Sequence, residues 1–155
     1  VGLFADKLLL TGGVRYQEIR VETFDYAVGA RERLYNENRW TPVVGIVAKP
    51  AEGLSIYGNY IEALQQGPTA PIDPALSNPG AALAPRVSEQ FEIGAKYVIG
   101  RMFASLAAYQ IDRPGEGVVG GQFGYVGNQR HKGIEATLNG EIVPGLRLIT
   151  GLAVN

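Results

Sequence analysis

Residues 88–112 read SEQFEIGAKYVIGRMFASLAAYQID, and this stretch decides the fold. From Phe91 to Tyr97 the odd positions are apolar, whereas the even positions include Glu92 and Lys96. A period of two is typical of a β-strand whose two faces meet different environments. A turn around Gly100 and a second apolar-rich strand follow. The stretch therefore predicts an antiparallel hairpin with one apolar face and one polar face.

The same alternation continues along most of the chain, while windows with helical periodicity are scarce. We predict seven strands, over about residues 7–23, 40–49, 54–63, 87–98, 102–112, 128–139 and from 146 onward. The predicted fold is therefore all-β, an antiparallel up-and-down meander.

The predicted connections alternate between long and short. Residues 25–39, 64–86 and 113–128 form long polar connections, and tight turns fall near residues 49–53, 99–101 and 141–145. In a meander every second connection lies at the same end, so all the long connections share one end. This asymmetry, with strands of about 9–12 residues, is typical of transmembrane barrels. A soluble sandwich or barrel, which also shows alternation, remains the alternative.

Seven strands do not complete a bacterial barrel, because such barrels have even strand numbers. An open sheet edge in hydrocarbon would leave backbone groups without partners, which costs several kcal/mol per group. We therefore expect this chain to be part of a larger transmembrane β-barrel, with neighbouring strands on both sides.

Composition narrows the function classes. The formal net charge of −1 gives no electrostatic case for nucleic acid binding. Cysteine is absent and His131 is the single histidine, which argues against Cys- or His-based metal centres and against a catalytic triad. We expect His131 to be a solvated residue near a strand end, and we expect no enzymatic activity.

Four blocks of the sequence resemble TonB-dependent outer-membrane siderophore receptors. They are LLLTGGVRYQ (8–17), WTPVVGIVAKPAEGLSIYGNYIEALQQGPTAP (40–71), VSEQFEIGAKYVIGRMFASLAAYQIDRP (87–114) and YVGNQRHKGIEATLNGEIVPGLRLITGLAVN (125–155). Their order and spacing also match that family. The resemblance covers nearly the whole chain.

This resemblance implies a bacterial outer-membrane location and a large barrel closed by a plug domain. Such receptors bind and import a ferric siderophore, driven by the TonB complex acting through the plug. The implied partners are the siderophore, TonB and outer-membrane lipid. Iron would arrive as a chelate, so no cofactor is expected on the protein. The implied domain is a partial receptor barrel over residues 1–155, without the plug or the remaining strands. Alternative cargoes within the same family are cobalamin, haem or a saccharide. The alternative class of protein is a soluble ligand-binding β-barrel.

Candidate functional residues fall into two groups. Glu92, Lys96 and Glu135 lie opposite the apolar positions, so we expect them to face the barrel lumen, where charge can be hydrated or paired. Aromatic and cationic residues in the predicted loops suit an anionic ferric chelate. These loop candidates are Tyr26, Arg31, Arg33, Tyr35, Arg39, Trp40, Phe123, Tyr125 and Arg130. For the aromatic residues among them, an interfacial belt is the alternative role.

Overall fold

The computed structural model describes residues 1–4 and 6–155, apart from the side chain of Glu32. Eight strands account for most of these residues, and there is no helix among them that is long and apolar enough to cross a membrane. The strands are β1 (Gly2–Leu3), β2 (Leu8–Phe24), β3 (Arg31–Ala51), β4 (Leu54–Gln65), β5 (Arg86–Ile99), β6 (Met102–Val119), β7 (Gln122–Val143) and β8 (Leu146–Val154).

All eight strands form one sheet in the order of the sequence, and each neighbouring pair is antiparallel. The predicted all-β meander is thereby confirmed. The additional strand is β1, whose two residues pair with Leu8 and Leu9. A two-residue strand is too short to show alternation, so no periodicity in the sequence predicts it.

Residues paired across antiparallel strands share a face of the sheet, so the register assigns the two faces. One row from β2 to β8 consists of small or aliphatic residues: Leu10, Ile46, Gly58, Ile93, Ala108, Ile134 and Val154. The adjacent row points the opposite way and contains Thr11, Gly45, Asn59, Glu92, Tyr109 and Gly133. We call the first side the apolar face and the second the polar face.

Most of the apolar face is not covered by other parts of the protein. Val44, Ile93 and Leu106 expose 55%, 63% and 56% of their surface, respectively. A continuous exposed apolar surface across a whole sheet is unfavourable in water and marks a contact with another apolar phase. The face therefore has the character expected of a barrel wall against lipid.

Two of the three predicted long loops are wrong. Strand β3 begins at Arg31, and β6 and β7 extend to a turn at Gly120 and Gly121, so residues 25–39 and 113–128 are mostly strand. Beyond the apolar band both faces of a hairpin meet water, so the side chains need not alternate although backbone pairing continues. The sequence pattern therefore missed these extensions.

The third predicted long loop is confirmed as the long connection between β4 and β5. Apart from the isolated bridge between Thr69 and Ala82, residues 66–85 form no strand pairing. We call this segment the strap. The tight turn at Gly100 is also observed, with a φ of 57° that disfavours residues bearing a side chain.

A lysine should be tolerated on the polar face and costly on the apolar face. Leu106→Lys places a charge near the middle of the apolar band, and we expect it to destabilise the protein in phosphatidylcholine vesicles by about 2–4 kcal/mol. Ser105→Lys, one residue away on the polar face, is the matched control. Denaturant titration of both variants measures the difference, and equal costs would contradict the assignment of faces.

Candidate functional site

A hydrogen-bonded group lies on the polar face of β4 and β5. The Tyr57 hydroxyl donates to Glu92 Oε1 at 2.7 Å, and the Gln90 amide donates to Glu92 Oε2 at 3.2 Å. The Lys96 ammonium lies 4.9 Å from the centroid of the Tyr57 ring, a cation–π contact. We call these four residues the polar cluster. Both oxygens of Glu92 are used, so its carboxylate is held in one orientation.

Glycine is required where Tyr57 lies against the wall. Gly94 is in register with Tyr57, and a Cβ at Gly94 would approach the Tyr57 ring to 2.7 Å. Gly133 plays the same part for Tyr109, whose hydroxyl oxygen would lie 2.5 Å from an added Cβ. Each glycine thus lets a tyrosine ring cover the neighbouring strand, a recurrent device in β-sheets.

The polar cluster borders an open depression of about 380 Å³ on the polar face. Thr11, Ser55 and Asn59 also line it, so hydroxyl, amide, carboxylate and ammonium groups are available at one surface. Such a set can bind a polar surface by hydrogen bonds and charge.

The structure brings two of the three predicted lumen residues together. Glu92 and Lys96 both line the depression on the polar face. Glu135 lies on the same face two strands away, because it pairs with Ala107, which in turn pairs with Gly94.

On the β2–β3 side, two predicted ligand residues hold the strap. The Arg33 guanidinium donates to Thr69 Oγ1 at 3.1 Å and to the carbonyl of Gly80 at 2.8 Å. The Tyr35 hydroxyl accepts a hydrogen bond from the Gly67 N–H at 3.1 Å, and the residue is only 6% exposed. Both side chains therefore fasten the strap to the β2–β3 hairpin.

The β6–β7 hairpin holds the other side of the strap. The Asn78 amide donates to the carbonyl of Phe123 at 2.8 Å, and the Phe123 N–H donates to Asn78 Oδ1 at 3.0 Å. The Tyr125 hydroxyl donates to the carbonyl of Ala84 at 2.6 Å, and burial raises the pKa of this phenol, which stays protonated as a donor. Phe123 thus binds the strap through its backbone N–H and carbonyl, and Tyr125 binds it through its hydroxyl.

Trp40 and Arg130 lie on the side of the sheet that carries the apolar face. The Trp40 ring packs against Tyr16, with 5.0 Å between ring centroids, as residues of an interfacial aromatic belt do. Arg130 Nε donates to Asp112 Oδ1 at 2.6 Å, and this contact holds the pKa of Asp112 below its usual value. Neither side chain faces the depression.

The remaining candidates are spread along the β2–β3 hairpin. Tyr26 lies fully exposed in its turn, and Arg31 is the first residue of β3. Arg39 lies on β3 farther from the β2–β3 turn and is in register with Gln17. The Gln17 Oε1 accepts a hydrogen bond from Thr41 Oγ1 at 2.9 Å. Of the nine predicted ligand residues only Tyr26 is in a turn, and the others belong to strands. Trp40 and Arg130 lie within the predicted strands 40–49 and 128–139, and the other six lie in the hairpin extensions.

Sequence reasoning missed Tyr57, Gln90 and Asn78. The parity of Tyr57 with Ser55 and Asn59 was a usable signal for the polar face. Nothing local indicates the role of Asn78, because its partner Phe123 is 45 residues away. Among the described residues, no group of three or more His, Cys, Asp or Glu side chains could hold a metal ion.

An antiparallel meander with one continuous exposed apolar face and one polar face defines the wall of a transmembrane β-barrel. The family model described as TonB dependent receptor-like, beta-barrel matches residues 3–155. The chain therefore belongs to this family, whose members are bacterial outer-membrane proteins.

Individual relatives agree with the family. The chain is 37% identical to the ferrichrome receptor FcuA of Yersinia enterocolitica over 96% of its own length, and 28% identical to the ferric-pyoverdine 358 receptor of Pseudomonas putida over 94%. The crystal structure of BauA, the ferric preacinetobactin receptor of Acinetobacter baumannii, matches 98% of the chain with a TM-score of 0.74 and 30% identity. The chain spans about a fifth of these proteins: 20%, 19% and 23%.

Releasing Asn78 should loosen the strap. Asn78→Ala removes two hydrogen bonds to Phe123, each worth about 0.5–1.5 kcal/mol. We expect amide hydrogen exchange in residues 68–84 to accelerate about ten-fold or more in the receptor that carries this chain. Ser77→Ala is the control, because Ser77 contacts Gly121 through its backbone N–H. Unchanged exchange in Asn78→Ala would show that the strap is held by other contacts.

Proposed function

We propose that these 155 residues form part of the wall of a plugged outer-membrane barrel that binds a ferric siderophore and imports it with energy delivered by TonB. Family membership supports the receptor class, and relatives named for ferrichrome, pyoverdine and preacinetobactin support the cargo. Because the chain spans about a fifth of those proteins, the plug and the remaining strands are assigned to the rest of the receptor.

One observation carries the proposal. The strap is fastened to polar-face side chains, Arg33 and Tyr35, so it covers one end of the polar face of a membrane sheet. The polar face below it stays open, with the depression beside the polar cluster. An ordered segment above an accessible polar wall is the arrangement that selective entry into a lumen requires.

In this proposal the wall supplies groups that recognise a ligand without covalent reaction. Iron enters as a chelate whose ligands come from the siderophore, so the protein surface needs only to recognise the outside of the complex. Cationic and aromatic side chains do this by charge, hydrogen bonds and stacking. No bond is made or broken, and the process is transport rather than an enzymatic reaction.

Among the cationic candidates we assign ligand contact first to Arg39. Arg33 is committed to the strap and Arg130 to Asp112, whereas no hydrogen bond or ion pair in the described part of the chain uses the Arg39 guanidinium. Arg39 is also exposed and lies on the polar face, in register with Gln17. Tyr26, Arg31 and Phe123 lie nearer the hairpin tips and would meet the ligand earlier.

We assign the polar cluster and Glu135 to contact with the plug. The cluster lies toward the end of the sheet that has the short turns, because Lys96 precedes the turn at Gly100 by only a few residues. Its hydrogen-bonding and charged groups suit a protein surface that must be held and later displaced. TonB would act on this surface indirectly, through the plug.

Growth under iron limitation tests the cargo. A strain lacking the receptor gene is grown with single iron sources, with ferrichrome, pyoverdine and preacinetobactin first, and with haem, cobalamin and a saccharide in parallel uptake assays. We expect growth or uptake to fail for one ferric siderophore and to recover when the gene is restored. Unimpaired use of every siderophore would overturn the assignment, and a defect confined to haem, cobalamin or the saccharide would identify the alternative cargo.

Arg39→Ala should weaken siderophore binding to the intact receptor by about ten-fold or more, because a hydrogen bond to a charged group contributes about 1.5–3 kcal/mol. Arg130→Ala is the matched control, since that arginine points to the side of the sheet that carries the apolar face. Fluorescence titration with the transported siderophore measures both dissociation constants. Equal effects of the two substitutions would place ligand contact elsewhere.

A further inference from the structure

Three lysines lie on the polar face near the end of the sheet that has the short turns. Lys96 is on β5 and is in register with Ser55. The Lys49 N–H donates to the carbonyl of Lys7 at 2.7 Å, so these two lysines lie opposite each other where the β2–β3 pairing ends. Lys49 is two residues beyond Val47, which belongs to a row of the polar face. We call Lys7, Lys49 and Lys96 the lysine row.

The lysine row follows one stretch of the wall. Lys7, Lys49 and Ser55 line an open depression of about 460 Å³ at the turn between β3 and β4. Ser55 and Lys96 line the depression of about 380 Å³ beside the polar cluster. Because Ser55 borders both, a molecule that moves along the polar face passes from one depression to the other. Short turns mark the periplasmic end of a transmembrane barrel, so the row lies where the lumen opens to the periplasm.

The ammonium groups of the lysine row have no carboxylate at ion-pair distance. All three lysines are exposed, and none of the ion pairs within residues 1–4 and 6–155 involves them. Lys7 and Lys49 face each other across neighbouring strands, and like charges in this position destabilise a sheet. An anion beside them would reduce this repulsion.

The charged residues that line the two depressions leave one positive charge in excess. Besides the three lysines they include two acids, Glu52 and Glu92. Both oxygens of Glu92 already accept hydrogen bonds within the polar cluster. Glu135, a further acid of the polar face, lies two strands from Lys96 and lines neither depression. An anionic molecule would therefore meet a net positive stretch of wall.

The ammonium group of Lys96 is held close to the wall. It lies 4.9 Å from the centroid of the Tyr57 ring, and that ring packs against Gly94. A cation–π contact holds a charge in place without neutralising it. Lys96 thus presents positive charge beside an aromatic ring, two groups that can contact a charged chelate with unsaturated ligands.

We propose that the lysine row lines the path by which the ferric chelate leaves the lumen, and that it favours a chelate with net negative charge. The inference rests on the proposed function and deepens it by naming the charge class of the cargo. Walls lined by one sign of charge raise the local concentration of counter-ions. Ions pass through a pore when each site attracts them but holds them weakly. Three exposed lysines on an open wall meet both conditions, because none of them encloses the chelate.

Lys96 has two successive partners in this proposal, because it also belongs to the polar cluster. It contacts the plug while the lumen is closed, and it contacts the chelate once the plug is displaced. Lys7 and Lys49 lie nearer the short-turn end and meet the chelate last.

Separate measurements of binding and uptake test the lysine row. Cells that produce the intact receptor receive the radioactive iron complex of ferrichrome, pyoverdine or preacinetobactin, whichever the unaltered receptor imports. Lys7→Gln, Lys49→Gln and Lys96→Gln in one variant should lower the maximal uptake rate about ten-fold, the lower end of the effect of a charged cleft on the arrival of counter-ions. The dissociation constant at the cell surface should not change, because the row lies at the opposite end of the wall from the long hairpins.

Two control variants separate charge from structure. Arginine at the same three positions keeps the charge and should keep the uptake rate. Lys132→Gln removes a lysine from the side of the sheet that carries the apolar face and should change neither quantity. Receptor abundance in the outer membrane, measured by immunoblot, normalises all rates. Electrophoresis of the imported complex at neutral pH should show a net negative charge.

Three results would overturn the proposal. They are an uptake rate that survives the glutamine changes, a weaker dissociation constant that accounts for the slower uptake, and an imported complex without negative charge. If the lysines instead hold acidic groups of the plug, the glutamine variant would admit large antibiotics into cells that lack TonB, which would also overturn it. Failure of the proposed function is distinguishable, because the unaltered receptor would then neither bind nor import any ferric siderophore.

Discussion

The structure depends on one constraint, that backbone N–H and C=O groups in hydrocarbon must be paired within the protein. Strands β2 to β8 meet it with continuous antiparallel ladders across the sheet. Because the ladder fixes the register, it also fixes the faces, and a shift by one residue would turn Ile93 inward and Glu92 outward. Large exposed side chains such as Leu106 and Ile134 are therefore compatible with a stable protein only when lipid covers them.

The same ladders continue beyond the apolar band, where water surrounds both faces. There the β2–β3 and β6–β7 hairpins serve as rigid supports, and the strap is hydrogen-bonded to both. Several of these contacts pair side chains with backbone groups of the strap, which has little regular pairing of its own. Polar side chains of these hairpins thus order the strap. Only polar side chains that make no such contact, such as Arg39, are available for a ligand.

Much of the fold could be predicted from alternation, and part of the site could not. The faces of Leu10, Ile46 and Ile134 follow from parity, and so does the polar setting of Glu92 and Lys96, because lipid and water impose opposite demands on adjacent residues. The sequence predicts Arg33, Tyr35 and Tyr125 as ligand residues, and their aromatic and cationic side chains suit both a chelate and a strap. Composition does not distinguish these roles, since the distinction lies in contacts with residues distant in sequence.

The sequence by itself determined the strand class, the two-faced sheet, the tight turns and the membrane receptor family, because each is written in local periodicity or in blocks of contiguous residues. Only the tertiary structure decided where the strands end, that Asn78 meets Phe123, and that Gly94 and Gly133 lie against the Tyr57 and Tyr109 rings. The physical reason is register: the pairing of distant strands sets which small residues become neighbours, and no single strand contains that information.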